Sequence, residues 1–263
     1  VKPFKKINLS KLNLIFNLQN DKFEFKDINL SYDNNDLKFP ELNLKKQKNK
    51  FLITGKNNSK NLVLDDKKIN QLLNNDFSNL KIKSAEFDLE NTFSFKIDNK
   101  YKIDNLKINS LLNLKNSKIV SSKNLKDFFP ELNEIIELSD HQIKIEYKKD
   151  LLSIIGNGNV FMQKKNDNIK YNFFKSKEKL KFDTSLEIIK NPFHLNFLNY
   201  KKDQDDKLKI TILGVKNLLS NEINFKNISV KEKNNKFEIQ NLSLSKKYKI
   251  KSFSGVDLSY FDD

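Results

Sequence analysis

Residues 22–32, KFEFKDINLSY, alternate apolar and polar positions twice, with the two halves out of step. Phe23 and Phe25 are odd-numbered, whereas Ile28, Leu30 and Tyr32 are even-numbered. Side chains of a strand alternate faces with period two, so an uninterrupted strand would turn the two apolar pairs in opposite directions. The same apolar-x-apolar-x-x-apolar-x-apolar unit returns as Leu37, Phe39, Leu42, Leu44 and as Ile223, Phe225, Ile228, Val230. It returns again as Phe237, Ile239, Leu242, Leu244 and as Tyr101, Ile103, Leu106, Ile108. Two explanations fit: the strand passes from one packed layer to another, or one extra residue forms a β-bulge that restores a common face and adds twist. The bulge is favoured, because several bulged strands in a row would curl a sheet.

The units come in pairs, and the pairs repeat. Residues 223–244 lie on residues 23–44 without a gap, so that Phe25, Ile28, Asn34, Asn35, Leu42 and Leu44 recur two hundred positions later. Between paired units stand Asp33-Asn34-Asn35 and Lys233-Asn234-Asn235, polar turns in which Asn readily takes positive φ, and this predicts hairpins. FLITG (51–55), LSIIG (152–156) and ITILG (210–214) are further alternating segments, each ending on glycine; Ile143, Ile145 and Tyr147 alternate as well. Two short helices are expected. DDKKINQLL places Ile69, Leu72 and Leu73 on one side behind an Asp66 cap; PELNEIIEL opens on Pro130 with Leu132, Ile135 and Ile136 on one side.

Together these features predict an all-β protein with two or three short helices. Its architecture is a long, curved, twisted antiparallel sheet of repeated hairpins. About twenty strands would each show Phe, Ile and Leu on one face and Lys, Asn and Asp on the other. So few helices cannot cover that apolar face, which must meet another sheet, curl on itself, or meet a ligand in an open groove. The candidate lining is the set of unit positions named above except Leu106 and Ile108, together with Phe51, Ile53, Ile143, Ile145, Ile154, Ile210 and Ile212, and no buried charge is expected along it. The chain reads as one β-groove segment, 1–263, with sub-repeats 1–120 and 121–263. VDLSY at 256–260 echoes INLSY at 28–32, and the first residue is Val1, so a piece of a longer repeat protein is expected.

Composition narrows the function classes. The 263 residues are 37% hydrophobic and 32% charged, with 22 Phe but only 5 Gly and 4 Pro, which suits neither a linker nor a disordered chain. The net charge of +15 invites a nucleic-acid reading. All 49 basic residues are lysine, however, and arginine is the usual reader of guanine and phosphate. The lysines are interleaved with Asn, Ile and Phe along the whole chain, as codons of an AT-rich genome would give, and no nucleic-acid partner is expected. Cysteine is absent, so disulfides, thiol chemistry and cysteine-based zinc sites are excluded. His141 and His194 lack a ligand-spaced partner and read as structural. GNG at 156–158 lacks the rest of a dinucleotide loop and reads as a turn or strand kink, and DQDD at 203–206 reads as a solvated loop. No catalytic constellation, metal site or cofactor motif is present, and an enzyme is not expected.

Three runs carry a family likeness: FFPELNEIIELSDHQIKIEYKKDLLSIIGNGNV (128–160), KFDTSLEIIKNPFHLNFLNY (181–200) and KEKNNKFEIQNLSL (231–244). In pattern and order of elements the chain resembles the AsmA-like family of bacterial envelope proteins. The resemblance implies a periplasmic protein anchored to the bacterial inner membrane by a segment outside this chain. Its repeated strands would form a groove of the bridge-like lipid-transfer type, serving lipid transport in the cell envelope and outer membrane biogenesis. Phospholipid would be the partner, its acyl chains in the groove and its head group at a wet rim, with outer-membrane components at the far end. The alternative is an envelope scaffold or assembly module with a closed β-sandwich or solenoid core.

Overall fold

A computed structural model describes residues 9–19, 21–73, 81–202 and 206–259. The first strands, β1 (Leu9–Gln19), β2 (Lys22–Tyr32), β3 (Asn35–Gln47) and β4 (Lys50–Asp65), lead into the helix α1 (Asp66–Leu73). Next come the long strands β5 (Ile82–Asp98), β6 (Ile103–Val120) and β7 (Ile135–Lys148), then β8 (Leu151–Phe161), β9 (Asn166–Lys175) and β10 (Lys179–Ile188). After the two-residue strands β11 (His194–Leu195) and β12 (Tyr200–Lys201) the meander resumes with β13 (Leu208–Asn217), β14 (Ile223–Glu232) and β15 (Asn235–Leu244). It closes with β16 (Ile250–Ser252) and β17 (Gly255–Ser259), both paired with β15. All strands except β11 and β12 form one open antiparallel sheet of 15 strands in chain order, as the hairpin repeats predict.

The phase slip is a bulge. From Leu12 onward β1 alternates without a break, and its Leu12, Phe16 and Leu18 stand opposite Leu30, Phe25 and Phe23. Cross-strand partners share a face, so both apolar halves of β2 look the same way, and the register shifts by one residue at Asp27. The second copy repeats this. Ile210, Ile212, Gly214 and Lys216 of β13 face Val230, Ile228, Phe225 and Ile223, with the shift beside Lys226. Further shifts fall at Asn61, Asn105 and Asp140, which share with Asp27 a φ between 51° and 55°. Asp and Asn tolerate this left-handed region better than other side-chain-bearing residues, which lets a glycine-poor chain bulge repeatedly. Asp33-Asn34 (φ 51° and 64°) and Lys149-Asp150 (φ 51° and 64°) turn their hairpins by the same means. Pro40 lies just past the last β3–β4 pair, Glu41 with Lys56, where its missing N–H leaves no pairing unmade.

Glycine does a different job here: none has positive φ. FLITG, LSIIG and ITILG do not end at their glycines; the strands run on. Gly55, Gly156 and Gly214 are mid-strand on the apolar face, directly opposite Phe93, Tyr171 and Phe182. Each aromatic ring folds over its glycine, so that a Cβ on Gly156 would stand 2.5 Å from the Tyr171 ring. GNG is thus neither turn nor kink, since Gly158 likewise makes room for His141. Gly156→Ala is expected to cost about 1–3 kcal/mol by overpacking, read as a lower urea midpoint. Gly255→Ala, with nothing within 4 Å, should be neutral or slightly stabilising.

One edge of the sheet is plugged. α1 forms as expected, with Ile69 buried, although its first turn is capped by Asp65, whose Oδ1 accepts from Lys68 N at 2.9 Å. The side chains of Leu72 and Leu73 lie outside those described. The helix expected from Pro130 does not form: residues 123–127 make a single 3-10 turn, and β7 starts at Ile135. Spacing at Leu132, Ile135, Ile136 and Leu138 suits helix and strand alike, and pairing of Ile135 and Ile136 with Val120 and Ile119 decides it. Phe129 and Leu132 instead pack with Phe193, Leu195 and Tyr200 over Val160, Ile188 and Leu208, the main buried cluster. Gln163 stitches the two covering segments, accepting from Glu131 N and donating to the Pro192 carbonyl. A smaller cluster of Leu62, Phe87 and Leu114, backed by Leu37, sits under the β4–β6 end.

Candidate functional site: an apolar trough

The sheet registers place the predicted lining residues on one face. On the first hairpin these are Phe23, Phe25, Ile28 and Leu30 against Leu44, Leu42, Phe39 and Leu37. Phe51 and Ile53 continue the face through Ile97 and Phe95, and Ile103 joins opposite Ile97. Ile143 and Ile145 oppose Gly156 and Ile154; Ile210 and Ile212 oppose Leu186 and Thr184. On the last hairpin Ile223, Phe225, Ile228 and Val230 meet Leu244, Leu242, Ile239 and Phe237. Tyr101 is the exception. It occupies the β5–β6 turn with φ 58° and is 68% exposed, so that unit begins as a strand only at Ile103.

Most of these side chains are half-buried, held by strand neighbours rather than by a second layer. Only Ile28 and Val230 of the set are buried. The consequence is large in area. A compact protein of 31.0 kDa exposes about 12,000 Å², whereas this chain exposes 18095 Å². Among the described residues the face is covered only at its plugged edge, by α1 and the segments 121–134 and 189–202.

The face is not free of polar groups, contrary to the expectation for its lining. Lys175 and Lys216 share a cross-strand row with Leu152, Leu180 and Ile223 at the open edge. Asp167 and Glu232 stand in the row at the plugged edge, both buried. Burial raises the Asp167 carboxyl above its ordinary value, although it accepts from Ile189 N and from Asn191 Nδ2. Glu232 accepts from the Tyr200 hydroxyl. These groups fasten the plug, and no periodic signal marked them beforehand; the turn residues Asn191 and Lys202 that hold them were equally hidden.

His141 is fully enclosed between Gly158 and the ring of Tyr171. Its Nε2 lies 2.9 Å from the Asn159 carbonyl, which can only accept. Nε2 therefore carries the proton, and Nδ1 accepts from the Tyr171 hydroxyl at 3.2 Å. Burial pushes the Tyr171 hydroxyl up to about 12 and holds His141 below its ordinary 6.5. As pH falls the unfolded chain is protonated first, so the neutral imidazole supports the fold fully above about 6.5 and progressively less below. Between pH 7.5 and 5.5 the urea midpoint is expected to fall, with this group removing at most about 1.4 kcal/mol of stability per pH unit below about 6.5. His141→Gln should flatten that slope; an unchanged slope would remove His141 as its source.

His194 belongs to the short β11–β12 pair and its backbone N–H donates to the Phe128 carbonyl, far in role from His141. Of DQDD, residues 203–205 lie outside the described residues, and Asp206 pairs with Lys233 at 2.6 Å. Among the described residues no cluster of three metal-ligating side chains occurs, and no helix is long and apolar enough to cross a membrane. Comparison with protein-family models, with curated proteins and with solved structures finds no match.

Proposed function

We propose that this protein is a non-enzymatic lipid carrier of the AsmA-like kind, holding acyl chains along the apolar face of its curled sheet. The observation that carries the reading is the single-layered face, continuous from β1 to β17 and uncovered except at one edge. A two-chain phospholipid has about 30 methylenes, and exposing them to water costs about 0.8 kcal/mol each, on the order of 20 kcal/mol in all. A trough of half-buried Phe, Ile and Leu removes most of that barrier without a reactive residue. Transfer between the inner and outer membranes through the periplasm, from an anchor outside this chain, is the setting in which such a trough fits. The scaffold alternative would need the cover seen over Ile188 and Leu208 to extend along every row of the face.

Native mass spectrometry of protein purified without detergent tests this directly. Bound phospholipid, removable by organic extraction and restored on exposure to vesicles, is the expected result. Protein that is lipid-free as isolated and takes up no lipid would overturn the reading.

A further inference from the structure

The meander sorts the loops onto two edges, and with them the charge. Seven turns, in the stretches 19–22, 45–50, 96–104, 148–151, 175–179, 216–222 and 245–251, lie at the edge opposite the plug. They hold eighteen lysines against six carboxylates, a net +12 of the chain's +15. Among the described residues, the connections at the plugged edge, 32–36, 65–73, 81–83, 118–137, 161–167, 187–202, 206–208 and 232–236, hold fifteen lysines against twelve carboxylates, a net of only +3. With strands about 4.8 Å apart, the basic edge is a line of roughly 65 Å with a turn every 10 Å or so.

A second feature marks the same edge. Its turns thrust apolar side chains outward among the lysines: Tyr101 between Lys100 and Lys102, Tyr248 between Lys247 and Lys249, and Leu219 at the β13–β14 turn. Their exposures of 68%, 65% and 76% are among the largest of the apolar residues. Both tyrosines are held at φ 58°, a left-handed conformation that tyrosine seldom adopts, at the tips of their turns. Neither ring contributes to either buried cluster. Lysine with projecting Tyr and Leu is the composition that settles at a membrane surface, cations on anionic head groups and rings at head-group depth. Soluble polyanions would use the cations alone.

We propose that the turn edge opposite the plug docks on an anionic lipid bilayer, presenting the open side of the trough to the head groups. This extends the lipid-carrier reading and rests on it for its purpose, yet bilayer binding is measured on protein with or without cargo, so either can fail alone. Lys175 and Lys216, on the trough face beside this edge, would then meet the head group of a lipid entering between them.

The test is sedimentation of the full chain with vesicles of phosphatidylcholine alone and with equal parts phosphatidylcholine and phosphatidylglycerol, at low and high salt. Binding to the anionic vesicles only, weakened by salt, is expected. Changing Lys45, Lys48, Lys100, Lys102, Lys247 and Lys249 to Glu should weaken it about tenfold or more. Changing Lys67, Lys81, Lys123, Lys126, Lys165 and Lys190 at the other edge alters the net charge equally and should leave it within about twofold. Tyr101→Ser with Leu219→Ser and Tyr248→Ser should weaken vesicle binding several-fold, while binding of an oligonucleotide or polyphosphate stays unchanged. Circular dichroism confirms that each variant folds. Absent vesicle binding, equal losses from both lysine sets, or indifference of vesicle binding to the tyrosine and leucine changes overturns the proposal, the last in favour of a soluble polyanion. Cargo retention in the first lysine variant separates this outcome from failure of the trough itself.

Discussion

Phe182→Asp combined with Phe225→Asp is expected to empty the trough while leaving the sheet folded. The two rings meet edge to face at 5.8 Å, with Phe182 folded across Gly214. They therefore form a continuous patch of floor over β10, β13 and β14, well away from the plug. A carboxylate laid against hydrocarbon without a hydrogen-bonding partner costs several kcal/mol. At about 1.4 kcal/mol per decade, two of them weaken acyl-chain binding by 100-fold or more. Folding should lose less, because neither ring is fully buried and the cost falls below the 3–5 kcal/mol typical of a fully buried Phe. Phe174→Asp supplies the control: Phe174 opposes Ser153 and Lys181 on the other face of the sheet. The measurement is lipid stoichiometry by native mass spectrometry beside thermal melting. Full lipid occupancy in the double variant would show that the acyl chains lie elsewhere; an empty Phe174→Asp variant would show that the effect is unspecific.

Much of this architecture is legible in the sequence, for a local reason. A strand that must hide one face writes period two into its own residues, and a bulge writes a one-residue slip. Phe23, Phe25, Ile28 and Leu30 announce both, and Asp27 at the slip shows how the backbone manages it. What was hidden depends on contacts distant in sequence. The pairing of Gly55 with Phe93, or Gly214 with Phe182, exists only once neighbouring strands are in register. The stretch after Pro130 carries an apolar spacing that serves helix and strand equally, so the competition is settled by Val120 across the ladder. The lysines look evenly scattered along the chain, and only strand lengths reveal which turns share an edge. Asp167, Gln163 and Asn191 carry no periodic signal, since their partners are backbone groups of turns. The trough was thus readable as a stripe, while its plug and its charged rim were not.

The opposite extreme of burial gives the largest expected loss of stability. Leu208 and Ile188 are cross-strand partners, both 0% exposed, beneath Phe193 and Tyr200. Leu208→Ala should cost about 3 kcal/mol, within the 2–5 kcal/mol seen when a fully enclosed Leu leaves a cavity. For a chain of this size that lowers the melting midpoint by roughly 10 °C. Phe16→Ala, at a side chain 51% exposed on the end strand, should cost under about 1 kcal/mol although more atoms are removed. The two buried clusters, one under the plug and one under β4–β6, share no buried member and are bridged by the partly buried Leu138, and in a one-dimensional meander each strand contacts chiefly its neighbours. Such arrays lose cooperativity when one block is weakened. Hydrogen exchange of Leu208→Ala should therefore show protection lost first across β7–β14 and retained through β3–β6. If protection instead falls together along all the strands, the sheet unfolds as one body, and the bending that joins its two halves contributes more than either buried cluster.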